Sequence, residues 1–209
     1  MTELLPLVLS GLLTLTQPSA DAPSVPKRSV TAEALLTAPD RHVRTTDRHV
    51  LNLLTQGVRR STTFANLMQQ LNQSDVIVYI QAVDTLPSTL AGRLMLAADA
   101  HGQRYLRVQV RQTLTPNESI ALMAHEFRHA LEIAAASEVR DARGLIALYQ
   151  RIGDESLPGM HAYETDAAQD VGRQVRVELL HAVTADATPS SGPSLVALRT
   201  CVATDGSCE

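Results

Sequence analysis

With 209 residues and a formal net charge of -4, the chain has room for one domain with tails or for two small ones. It carries no basic block or acidic run, which argues against nucleic acid as a partner. Aliphatic residues are plentiful enough for a core, while aromatic ones are scarce: no Trp, four Tyr and two Phe.

The chain begins with an apolar run, Leu4 to Thr16, shorter than the ~20 residues a membrane span needs. Ala20, Asp21 and Ala22 follow as a small-x-small cleavage pattern. Residues 1–22 therefore read as a secretory signal peptide, although Glu3 stands where a positive residue is usual. The mature protein is expected to be exported, periplasmic or secreted, with no stable membrane span. Residues 23–45 read as a linker or pro-segment, and residues 46–185 as the folded domain.

Within that domain the first apolar pattern runs from Thr46 to Leu71 at helical spacing. Gly57 and Ser61-Thr62-Thr63 are expected to divide or bend it. Asp75 to Val83 is short and β-branched, as a buried strand should be. Two β-prone runs then flank His101-Gly102, a hairpin signal. In the second run Tyr105, Arg107 and Gln109 alternate with Leu106, Val108 and Val110. One wet side and one buried side predict an outer strand over Gln103 to Arg111.

Thr115, Pro116 and Glu118 have the spacing of a capping box with proline at the first helical position. The helix they start is expected to reach about Ala136. Further helices are predicted over Val139 to Gly153 and Ala162 to Val183, with a loop between them. Residues 186–209 read as a flexible tail. Cys201 and Cys208, the two cysteines, bracket a turn there and would either close a small disulfide in an oxidising compartment or remain free thiols. The element order predicts an α+β fold with one small sheet.

The central helix contains His125, Glu126 and His129 in an apolar run. Residues four apart on a helix share a face, so both imidazoles can address one point while Glu126 reaches a molecule held there. This is the H-E-x-x-H arrangement, two neutral imidazoles for Zn²⁺ and a carboxylate for its water. Zinc needs a third protein ligand, leaving one position open. Glu164 is the first choice, with His161, Asp166 and Asp170 as rivals. Glu132 and Asp170 are candidates to orient a ligating imidazole from behind. The bland alternative is a polar seam in an interaction protein, with the motif there by accident.

The segments His125 to His129 and Tyr163 to Asp170 resemble the zincin metallopeptidases, specifically a small gluzincin, over about Asp75 to Val183. Glu132 and Ala135 stand where a metzincin would have Gly and His. The resemblance implies a zincin-like fold, a three-stranded sheet packed on an active-site helix and a downstream glutamate helix. It implies zinc bound by His125, His129 and Glu164, and hydrolysis of a peptide or protein substrate with Glu126 as general base. His161 or Tyr163 would stabilise the oxyanion, and the substrate backbone would pair with the edge strand, taken as Gln103 to Arg111. A zincin-like domain that binds metal or a partner without turnover is the alternative.

Overall fold

A computed structural model describes residue 36, residues 41–157, residues 162–186 and residues 200–203. The expected signal peptide, most of the following linker, His161 and Cys208 lie outside the described residues. Among those described, no helix is long and apolar enough to cross a membrane.

Two helices precede the long strands. The Asp47 side chain accepts from the His49 and Val50 backbone N–H groups and starts α1 (Arg48–Arg60). Its buried residues Val50, Leu53, Leu54, Gly57 and Val58 form one stripe. The chain breaks at Ser61, whose hydroxyl accepts from the Phe64 N–H and caps α2 (Thr62–Leu71). Gly57 does not interrupt α1; a Cβ there would lie 2.8 Å from the Phe64 ring, so the residue is small to let that ring pack.

Seven strands are described: β1 (Val43–Arg44), β2 (Val76–Val83), β3 (Gly92–Ala100), β4 (Gln103–Arg111), β5 (Asp154–Leu157), β6 (Ala162–Glu164) and β7 (Thr200–Ala203). The main sheet is five-stranded and mixed, ordered β1-β2-β4-β3-β7, and β5 and β6 form a separate antiparallel pair. The expected three strands are its centre. The edge strands β1 and β7 come from segments read as linker and tail, and runs of two and four residues are too short to show alternation.

The hairpin of β3 and β4 turns at His101 and Gly102, both with positive φ (54° and 79°), the geometry of a type I′ turn. β4 is not an edge. It pairs with β2 in parallel and with β3 antiparallel, so no substrate backbone can add to it. Its alternation has another source: Leu106, Val108 and Val110 face the core, and the central helix packs against that strand.

Arg104 also points inward from β4 and is fully buried. Its guanidinium is held by both Asp75 carboxylate oxygens, at 2.9 and 2.6 Å, and donates to the carbonyls of Ile133 (2.5 Å), Ala136 (2.7 Å) and Ala134 (3.0 Å). Those carbonyls lie at the C-terminal end of α3 (Pro116–Ala135), where a helix runs short of internal donors; the Ala136 and Val139 N–H groups reach Ile133 and Ala136, and Arg104 supplies further donors. The Thr115 hydroxyl and Glu118 complete the capping box at the other end. Fixed at both ends, α3 crosses the sheet with its middle in the core. α4 (Ala142–Ile152) starts at the Asp141 cap. β5 lies in the loop expected after α4, while β6 takes the first three residues of the helix expected from Ala162; α5 (Asp166–Asp186) starts later and packs along α3.

Candidate metal centre

One helix supplies two of the converging side chains. His125 and His129 lie one turn apart on α3, both buried, with their Nε2 atoms 3.0 Å apart. The third group arrives on β6: Glu164 Oε2 is 3.2 Å from His125 Nε2. One ligand atom from each of the three lies within 4.8 Å of the others. Ligands ~2.0–2.1 Å from a common tetrahedral ion would be about 3.3 Å apart. The two short separations match that spacing, so the cluster can hold a metal ion. Among the described residues it is the one such group of His, Cys, Asp and Glu.

Glu164 does not sit on the long helix as expected. It ends β6, two residues before α5, and its strand pairing with Asp154 sets its position. Thr165 follows and caps the helix, its hydroxyl accepting from the Ala168 N–H at 3.1 Å. Close packing holds the junction from behind. A Cβ at Gly153 would lie 2.6 Å from the Glu164 carbonyl oxygen.

Behind His129 sits Glu132, one turn further along α3. Its Oε2 lies 2.9 Å from His129 Nδ1, and the Tyr149 hydroxyl donates to the same oxygen at 3.3 Å. The Thr165 hydroxyl donates to Oε1 at 2.8 Å. One carboxylate thus joins a candidate ligand on α3, the next residue after another candidate ligand, and a tyrosine on α4. An acceptor at Nδ1 assigns the proton to that nitrogen and directs the Nε2 lone pair at the shared point.

The electrostatics agree. Burial pushes the His129 imidazole below its ordinary pKa, while Glu132 pulls the other way. Burial would raise Glu132, but the hydrogen bond from His129 helps bring its carboxyl below the usual range. We assign the pair as neutral imidazole and ionised carboxylate, the state in which histidine ligates. Burial, then Glu132, raises the Tyr149 hydroxyl well above its usual value and keeps it a donor.

Glu126 occupies the other side of the motif. It is fully buried, and neither carboxylate oxygen has a hydrogen-bond partner in the protein. Burial first and the neighbouring Glu164 second hold its carboxyl well above the ordinary range. The backbone of β3 comes close to it: a Cβ at Gly92 would lie 3.3 Å from Glu126 Oε1. A buried acidic group without a protein partner is costly unless something else occupies that space.

No protein-family model, curated protein or solved structure matches the chain. The site therefore rests on its own geometry.

The other expected site residues divide clearly. Asp170 pairs with Arg173 on the exposed side of α5, and Asp166 is exposed at the helix start. Neither belongs to the cluster, and Asp170 does not orient an imidazole. Tyr163 is buried in the core with its ring stacked on Tyr149, centroids 6.2 Å apart. His161 is outside the described residues. Tyr149, Thr165 and Gly92 escaped the sequence reading. Tyr149 follows the helical spacing of Leu145 and Leu148 and looks like another core residue.

Proposed function

We propose that the chain is a zinc-dependent peptidase of the zincin type, with His125, His129 and Glu164 as metal ligands and Glu126 as general base. The observation that carries this is the convergence of three suitable donor atoms next to a buried carboxylate with no protein partner. Two imidazoles and one carboxylate are a usual ligand set for catalytic zinc. When bound, zinc supplies Lewis acidity toward a carbonyl and lowers the pKa of water at the open position to about 7.

The chain's own groups do the remainder. Glu132 fixes the ring of His129 and its tautomer. Glu126 accepts the proton of the water that attacks the peptide carbonyl, then returns it to the departing amine. Neither Glu126 oxygen is engaged by another protein group, which leaves the carboxylate available to that proton. The apolar packing around α3 excludes bulk water and strengthens each of these interactions.

The test compares the full chain with Glu126→Gln and His129→Ala, measuring zinc by elemental analysis and cleavage of labelled casein with and without chelator. Glu126→Gln should keep zinc and lose hydrolysis; His129→Ala should lose zinc. Equal cleavage by wild type and Glu126→Gln would reject the role given to Glu126. Unchanged zinc in His129→Ala would reject the site. Zinc bound in the wild type with no cleavage under any condition would leave a metal- or partner-binding domain.

A further inference from the structure

The edge of the main sheet beside the metal centre is already filled. β7 pairs in parallel with β3, Gly92 with Thr200, Arg93 with Cys201, Leu94 with Val202 and Met95 with Ala203. The first of these pairs involves Gly92, whose backbone abuts Glu126. β7 also lies against β6, the strand that ends in Glu164, and close to α3. Four residues of the chain thus run between the sheet edge and the strand carrying the third ligand. In the same structure His125, Glu126 and His129 are all buried. A hydrolase acting on polypeptide needs this space for its substrate, and the exposed backbone groups of an edge strand are where an extended peptide adds.

We propose that Thr200–Ala203 is an intramolecular occupant of the position where an extended peptide substrate would pair with β3, so that the site opens only when the C-terminal segment leaves the sheet. This rests on the peptidase reading given above. The strand is suited to leave. It is the outermost of the sheet, is paired there on one side, and contributes four residues. It is also tethered: residues 187–199 join it to α5, which places it at an effective concentration of about millimolar. A segment that binds the edge in trans with a dissociation constant of ~100 μM would then close the site about tenfold in cis. Release should raise access to the site by that factor.

Three measurements test this. In the full zinc-loaded chain, Cys201→Pro and Val202→Pro each remove one ladder donor from neighbouring positions, so one of them must break a bond to β3. At least one should raise casein turnover about tenfold with zinc content unchanged. In a Glu126→Gln background, a fluorescein-labelled peptide of residues 196–207 should bind the same proline variant and not the chain with intact β7, read by anisotropy. In the unsubstituted chain, amides of β7 should exchange with deuterium far faster than those of β4, which needs no variant to fold.

Turnover and peptide binding unchanged by both prolines, or β7 amides as protected as β4, would overturn the proposal. Peptide binding that depends on proline in a chain with no turnover at all would uphold the occupant and refute the peptidase reading, so the two fail separately.

Discussion

Replacing Glu132 with Ala takes the acceptor from the His129 Nδ1–H and the Thr165 hydroxyl, while the Tyr149 hydroxyl keeps the His129 carbonyl 3.3 Å away. His129 and Tyr149 are fully buried and Thr165 nearly so. A buried donor left without its partner costs about 1–3 kcal/mol. Water entering the space left by the carboxylate recovers part of this, so the expected loss of folding stability is about 2–4 kcal/mol. Loss of the group orienting a ligating imidazole typically weakens metal binding 10–100-fold, about 1.4–2.7 kcal/mol at 1.4 per tenfold. Glu132→Gln keeps one oxygen acceptor and should fall between wild type and alanine. Tyr149→Phe removes one donor, leaves the pair of His129 and Glu132 intact, and should bind zinc nearly as wild type does. The assay is zinc competition against a chromogenic chelator, with the visible spectrum of the cobalt form reporting ligand geometry. Wild-type zinc affinity in Glu132→Ala would refute the assignment, since a stability loss alone does not distinguish positioning from packing.

Arg104→Met should cost about 1–3 kcal/mol in urea unfolding, because it leaves the Ala134 carbonyl without its donor and takes a second donor from the carbonyls of Ile133 and Ala136; a loss below about 0.5 kcal/mol would contradict that capping role. The Arg104 guanidinium holds Asp75 below the usual carboxylate range. Its contribution is therefore complete above the unfolded-state value of about 3.9 and is lost as pH falls through the lower folded value. The stability gap between wild type and Asp75→Asn should be constant above about pH 5 and shrink below about pH 4; a gap that widens in acid would be the wrong sign. Gly153→Ala should weaken zinc about tenfold without loss of helical circular dichroism, because its Cβ would meet the Glu164 carbonyl oxygen at 2.6 Å. Unaltered zinc affinity there would show that β6 does not set the position of Glu164.

Features that depend on neighbours in the chain were legible. The capping box of α3, the turn at His101 and Gly102 and the spacing of His125 with His129 each follow from local stereochemistry. Glu164 was reached through the gluzincin resemblance, which calls for a glutamate on a later element, and its place on a strand was not foreseen. The three residues of β6 exist through pairing with β5, and neither segment signals a strand alone. The same holds for β7, whose partner Gly92 is over a hundred residues away in sequence. The edge assigned to β4 failed for a related reason. Alternation reports that one face of a strand is covered, and says nothing of whether a neighbour lies on each side. Arg104 falls on the core face of that alternation, and only the end of α3 packed against it accounts for a charge there.

X-ray absorption of the zinc-loaded full chain tests most directly whether residues from α3 and β6 hold a metal. One equivalent of zinc with two imidazole nitrogens and one carboxylate oxygen at about 2.0–2.2 Å is expected, with that signal absent from His125→Ala and changed in Glu164→Ala. A chain that takes up no stoichiometric zinc, or a spectrum indifferent to both substitutions, would contradict it.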